Sequence, residues 1–276
     1  RDALGGRTLY YHLNERVLVV ASEEQAVLAH PAVTGRVKES AIASFLAVDT
    51  PSYDGTFFQG IEELAPAHVI TVTASAFRNH CYWQPNTSAR ISYRDDQEYA
   101  DHFLSLLMES VRCRLRSLTP PAVMMSGGMD STSVAALAAC ELAKDQHQPP
   151  LRTLSWVFDK LTNCDERWYI EMITACYQTH STFFLGDNEW PLRDVDKWPV
   201  CPNTPLQNPY RWLKERLYRT AQALGRRGAL PGPYSDEANT GEEQWLADYW
   251  REKQLGKACR ETALRVYRQG VQGSSH

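Results

Sequence analysis

AVMMSGGMDS, Ala122 to Ser131, carries more of this chain's meaning than any other stretch. Ala122 to Met125 are apolar, Gly127 and Gly128 let the backbone turn tightly and approach an anion, and Asp130 to Lys144 has a strongly helical composition. A strand, a pyrophosphate-cradling loop and a helix are predicted in that order, the equipment of ATP cleavage. Amide groups at the helix start face phosphate oxygens in such loops, and Ser126, Ser131 and Thr132 add hydroxyl donors. A carboxylate beside a phosphate repels it unless a divalent cation stands between them, so Asp130 implies magnesium. No lysine follows the glycines, which excludes the G-x-x-x-x-G-K-[ST] loop of kinases and GTPases. The plainer alternative is an ordinary strand-to-helix turn, with Ser126 as cap and Gly128 at a positive φ.

Around this stretch, strands and helices alternate. Val123 to Met125 precedes the helix Asp130 to Lys144, and Leu151 to Phe158 precedes a helix over Asp165 to Tyr177. Ser181 to Leu185 and Arg227 to Leu230 are further strand candidates. Leu206 to Leu224 and Glu242 to Gln269 read as helices. This order predicts an α/β domain with a helix-covered parallel sheet, whose ligands gather at the carboxyl ends of the strands. Ahead of it, Asp95 to Leu118 reads as an amphipathic helix, with Tyr99, Phe103, Leu106, Leu107 and Val111 near helical spacing and arginines at its end.

The first third is mostly β. Arg7 to Leu13 and Arg16 to Ala21 predict a hairpin, and Ser22 with Gln25 forms a capping box for a short helix ending near His30. Glu39 to Val48 is helical, and His68 to Thr73 and Phe77 to Trp83 are strands. The polar segment Gln84 to Ser92 marks the boundary between a domain over 1–84 and another over 93–270.

The chain has 276 residues, a formal net charge of -4 and 43% hydrophobic residues, which suits two globular domains and gives nucleic acid no electrostatic reason to bind. Neither an 18-residue apolar run nor a charged-then-apolar leader is present, so no membrane partner is expected and a cytoplasmic location is. The seven cysteines include no C-x-x-C pair, so most are expected to be small buried residues. Cys164, in a polar stretch, is the thiol expected at the surface.

A second acidic element, LPGPYSDEANTG (Leu230 to Gly241), follows the last strand candidate. A solvated helix start is one reading of Asp236 and Glu237. The other rests on geometry: in a parallel sheet this loop shares an edge with Ser126 to Ser131, so Asp236 can share magnesium with Asp130. Asp165 and Glu166 can also reach that edge, or simply favour the start of their own helix.

Taken together, these segments resemble the glutamine-dependent asparagine synthetases. RDALGGRTLYY (Arg1 to Tyr11) is similar to a segment late in their glutaminase domain, and ASEEQAVLAHP, TFFQGIEELAPAH and YW continue the pattern. SGGMDS resembles their pyrophosphate loop, DERWY (Asp165 to Tyr169) their D-E motif, and SDE (Ser235 to Glu237) the end of their G-E-G-S-D-E loop. The resemblance implies a Rossmann-like ATP pyrophosphatase domain preceded by the C-terminal part of an α+β, N-terminal-nucleophile-type glutaminase domain. It implies that Asp130 and Asp236 hold Mg2+ and that Ser126, Gly127, Gly128 and Ser131 cradle pyrophosphate. It also implies that backbone at Met125, Val157 and Gly232 meets the adenosine of ATP. A small-molecule or peptide carboxylate would attack the α-phosphorus, and ammonia or an amine would then form the amide.

Three departures accompany the resemblance. The family's N-terminal nucleophilic cysteine is missing, so glutamine hydrolysis is not expected of this chain. Family members also continue into a helical stretch that supplies a catalytic lysine, so truncation is expected, with a homodimer or a partner supplying the missing segments. G-E-G-S-D-E stands as GPYSDE, with Pro233 for the glutamate and Tyr234 for the glycine. Tyr234 joins Asp130 and Asp236 as a catalytic candidate. The expected activity is asparagine formation from aspartate. The alternatives are a ring-forming amide ligase of the β-lactam or lasso-peptide macrolactam type, and an inactive ATP-binding fragment.

Overall fold

The computed structural model describes residues 1–47, 55–198, 202–205, 208–232, 249, 251 and 253–272. The chain forms two compact units, one of residues 1–94 and 191–212 and one of residues 95–190 and 213–276.

In the first unit, strand β1 (Tyr10–Leu13) lies between β2 (Leu18–Ala21) and β3 (Glu62–Glu63), antiparallel to both. A second hairpin pairs β4 (His68–Val72) with β5 (Phe77–Cys81). Two helices, α1 (Glu24–Leu28) and α2 (Glu39–Leu46), lie between β2 and β3 in sequence. Strand β1 starts later than expected because the Arg7 amide donates to Asp2 Oδ2 at 3.0 Å and the Arg7 carbonyl accepts from Arg1 Nε at 2.9 Å. Arg1 also reaches Glu63 Oε1 at 2.6 Å and the Leu64 carbonyl at 2.7 Å, so the R-D-x-x-G segment fastens the strand ends. Backbone donors from Arg7, then Gly6, hold the Asp2 carboxyl below its ordinary value.

The capping box at Ser22 does not form. Helix α1 begins after Glu23, with no side-chain cap, and the Ser22 carbonyl accepts the Thr8 hydroxyl at 2.8 Å. Ala26 and Val27 instead direct their amides to the Glu23 carbonyl. Glu24 is turned inward and almost fully buried, and its Oε1 has no partner among the described residues. Desolvation, with Glu63 and Glu23 nearby, pushes its carboxyl above the ordinary value despite a hydrogen bond from Thr56.

The second unit is α/β. Helix α3 (Asp96–Arg114) is capped by Asp95, whose side chain accepts from the Glu98 amide, and carries Arg112 and Arg114 in its last turn. Strands β6 (Ala122–Met124), β7 (Arg152–Val157), β8 (His180–Leu185) and β9 (Ala229–Leu230) form a parallel sheet in the order β8-β7-β6-β9. Helix α4 (Met129–Leu142) links β6 to β7, α5 (Arg167–Tyr177) links β7 to β8, and α6 (Arg211–Ala223) lies between β8 and β9. The chain therefore moves outward from β6 to β8 and returns to the other side of β6. This reversal makes the β6 carboxyl end the topological switch point of the sheet.

Both sheet faces are covered, which explains the nearly continuous burial along β7. One face meets Ala135, Ala138 and Ala139 of α4, with Ile170 of α5 and Val111 of α3. The small alanines let α4 lie close to β6. On the other face Leu217 and Ala221 of α6 pack on Ala122, Leu154 and Phe184. Of the apolar face expected on α3, Val111 enters the core, whereas Tyr99, Phe103 and Leu106 are exposed.

Cys164 is exposed as expected, but the other described cysteines are not the small buried residues expected. Cys113, Cys140, Cys164, Cys176 and Cys259 are exposed, and Cys81 is half-buried. Three of these, Cys113, Cys140 and Cys176, lie on helices whose buried positions include valine, alanine and isoleucine. Helix α6 starts at Arg211, later than expected, because Asn208 makes a turn there, its Oδ1 accepting the Tyr210 amide at 2.8 Å. The last described helix is Leu255–Gln272. Among the described residues no helix is long and apolar enough to cross a membrane.

Candidate active site

Strand β6 delivers Ser126 to the switch point, and the loop is then tied by its own side chains. Ser131 Oγ accepts the Ser126 amide at 3.0 Å, and the Ser126 carbonyl lies 2.9 Å away as its acceptor. Thr132 Oγ1 donates to the Gly128 carbonyl at 2.8 Å. In this state the expected phosphate donors hold the loop's shape. Gly128 is the N-cap of α4, with φ -66° and no side-chain cap. Of the plain-turn alternative, the positive φ at Gly128 is absent, while the Ser126 hydroxyl does accept the Gly128 amide at 3.3 Å. An uncapped helix start leaves first-turn amides free for an anion.

Close approach explains two glycines. A Cβ at Gly127 would stand 2.5 Å from Glu166 Cβ and 2.9 Å from the Glu166 carbonyl oxygen. One at Gly232 would stand 3.1 Å from both Cα and N of Ser131. The end of β9 thus passes directly beside the start of α4.

These elements surround a cavity of about 550 Å³. Of the predicted residues, Met125, Ser126, Gly128, Asp130, Ser131 and Gly232 line it. Gly127 and Val157 do not. The Gly127 amide donates to Glu166 Oε2 at 2.9 Å, and the Val157 carbonyl accepts the Gly186 amide at 2.9 Å. Tyr234 and Asp236 lie outside the described residues.

Sequence reasoning left the opposite wall unread. Met124, Leu154, Trp156, Phe158 and Leu217 give the cavity an apolar side. The Arg216 guanidinium stacks 5.5 Å over Trp156 and 5.4 Å over Phe184, and pairs with Glu189 at 3.1 Å. The buried Trp156 Nε1 has no acceptor among the described residues. The available signal was alternation along β7: Leu154 and Trp156 share one face, the one α6 covers.

The D-E pair divides its work. Asp165 Oδ1 accepts the Phe158 amide at 3.0 Å, closing the turn after β7. Asp187 accepts the amides of Asp159, Lys160 and Leu161 at 2.7, 2.6 and 3.1 Å. Desolvation works to raise the Asp187 carboxyl, but the three amides together outweigh it and hold the group below its ordinary value. Glu166 is exposed and lines the cavity.

Asp130 offers a hard oxygen ligand beside the loop, which suits Mg2+. That ion binds through one or two carboxylates plus substrate phosphates rather than through an all-protein cage. Among the described residues there is no group of three or more metal-binding side chains.

Two family models match successive stretches of the chain. Residues 1–83 match a glutamine amidotransferase domain and residues 102–274 match asparagine synthase. The chain is similar to glutamine-hydrolyzing asparagine synthetase 3 of Bacillus subtilis, 28% identical over 200 residues, covering 68% of this chain and 32% of that protein. It is 32% identical over 268 residues to amidase chry2 of Gibberella zeae, covering 90% of this chain and 38% of the relative. With amidase chyE of Penicillium rubens the identity is 27% over 283 residues, covering 96% and 41%. The chain therefore spans between 32% and 41% of the length of these relatives. With more than half of its residues inside the asparagine synthase match, the chain belongs to the asparagine synthase family.

Proposed function

We propose that this chain is the adenylating part of a cytoplasmic, ATP-dependent amide ligase. The observation that carries the reading is the cavity at the switch point, where the Ser126–Ser131 loop, an uncapped helix start and Asp130 meet. ATP lies with its β- and γ-phosphates on the first-turn amides of α4, beside the Ser126 and Ser131 hydroxyls. Asp130 and Asp236 hold Mg2+, which when bound neutralises charge on the leaving pyrophosphate. A substrate carboxylate attacks the α-phosphorus, giving an acyl-adenylate and pyrophosphate. Ammonia or an amine then attacks the acyl carbon and AMP leaves. The loop amides stabilise charge that develops in the first step, the principal contribution a protein makes to such chemistry.

Aspartate, giving asparagine, is the substrate the family name favours. The apolar wall of Met124, Leu154, Trp156, Phe158 and Leu217 favours a second reading, a ligase for a larger, less polar carboxylate such as a ring-forming enzyme uses. Exchange of labelled pyrophosphate into ATP by a full-length version tests both. Aspartate-dependent exchange supports the first and exchange only with bulky carboxylates the second. No exchange with any carboxylate, or exchange undiminished by Asp130→Ala, sinks the adenylation reading.

A further inference from the structure

The Gly127 amide, in the middle of the pyrophosphate loop, is already bonded to a carboxylate. Glu166 Oε2 accepts it at 2.9 Å across 39 residues of sequence. Backbone contact fixes the approach, since Gly127 abuts both Cβ and the carbonyl oxygen of Glu166. The carboxylate itself is not fixed. Glu166 is exposed and makes no ion pair among the described residues, while its neighbour Asp165 is committed to the Phe158 amide and lies 3.8 Å from Arg167.

We propose that Glu166 is the loop's own stand-in anion, holding the Gly127 amide in phosphate-binding geometry until pyrophosphate oxygens displace it. The inference rests on the proposed reading of the loop as a pyrophosphate site. Two physical effects drive the exchange. A charge-assisted hydrogen bond keeps the amide satisfied and the loop shaped before ligand arrives. Two like charges on one amide are then incompatible, so the carboxylate turns out to solvent when phosphate enters. Glu166 is accordingly a positioning residue that competes with the ligand. Apparent affinity falls by the fraction of time the amide is free, so a latch closed about nine-tenths of the time weakens phosphate binding about tenfold.

The test is calorimetry of the whole chain with inorganic pyrophosphate and magnesium, comparing wild type with Glu166→Gln and Glu166→Ala. Both variants are expected to bind pyrophosphate about tenfold more tightly at unchanged melting temperature, because the exposed side chain supports no core contact. In a titration followed by NMR, the Gly127 amide should start from different positions in the wild type and in Glu166→Ala and reach a common position when pyrophosphate saturates both. Equal or weaker binding by both variants overturns the inference, because a merely structural or metal-holding Glu166 predicts loss. Failure of the site reading is distinguishable: wild type and both variants then bind neither pyrophosphate nor Mg·ATP. Binding by the variants alone supports the latch.

Discussion

Alanine at Gly127 should damage this protein where alanine at the adjacent Gly128 largely does not. A Cβ at Gly127 would meet Glu166 Cβ at 2.5 Å, the Glu166 carbonyl at 2.9 Å and Tyr169 Cβ at 3.2 Å. None of these atoms is the free end of a flexible side chain, so α5 or the loop must move by several tenths of an ångström. Overpacking of that kind costs about 1–3 kcal/mol. Since misplacing reacting groups by about 1 Å can cost roughly a hundredfold in rate, a loop shift should also reduce ATP handling sharply. At Gly128 the Cβ meets the movable Ser126 Oγ at 3.3 Å, and φ -66° with ψ 152° is open to any residue. In folding stability alanine there loses only N-cap preference, about 0.5–1 kcal/mol. Urea unfolding followed by calorimetry with Mg·ATP, on both variants in parallel, reads the contrast. Gly127→Ala with wild-type stability and wild-type ATP affinity would refute the close-approach argument.

Other consequences can be measured separately. Glu24 has its carboxyl raised above the ordinary value of 4.5 by burial, so the folded state binds its proton more tightly than the unfolded state. Its contribution is most favourable below about pH 4.5 and is lost as pH rises through the raised value. Glu24→Gln should therefore raise the melting temperature at pH 7 and give no gain at pH 4; equal effects at both would contradict the linkage. Asp187→Ala frees three amides after β7, so hydrogen exchange at Asp159, Lys160 and Leu161 should accelerate while Leu154 stays protected. Because that carboxyl lies below its ordinary value of 3.8, its hold should persist above that pH and weaken as pH falls through the lowered value. Arg1→Ala removes bonds to Glu63, Leu64, Gly5 and Arg7 and should destabilise the first unit, read as an earlier thermal transition.

The strand, loop and helix around Ser126 were legible because local chemistry dictates them: an apolar run, a turn and an alanine-rich helix follow one another in sequence. The parallel sheet was legible for the same reason, through the alternation of elements. The R-D-x-x-G segment could be recognised, but its reason could not, since Arg1 acts on Glu63 and Leu64 far along the chain. Ser22 misled because a capping box is a local preference, and here the burial of Glu24 and a Thr8 hydroxyl decide the turn instead. The cysteines misled because residue type gives an average burial, while position on a helix face gives the actual one. Glu166 was visible as an acidic helix start, but its bond to Gly127 depends on the adjacency of β6 and β7, which no local pattern records. The apolar wall likewise needs α6 in place over β7.

The central claim is that the loop between β6 and α4 binds ATP through magnesium. Calorimetric titration of the chain with ATP in the presence and absence of magnesium, repeated on Asp130→Ala, tests it most directly. The account predicts saturable one-to-one binding that requires magnesium and disappears in Asp130→Ala. Equal binding with and without the metal, equal binding by the variant, or no binding at all would contradict it.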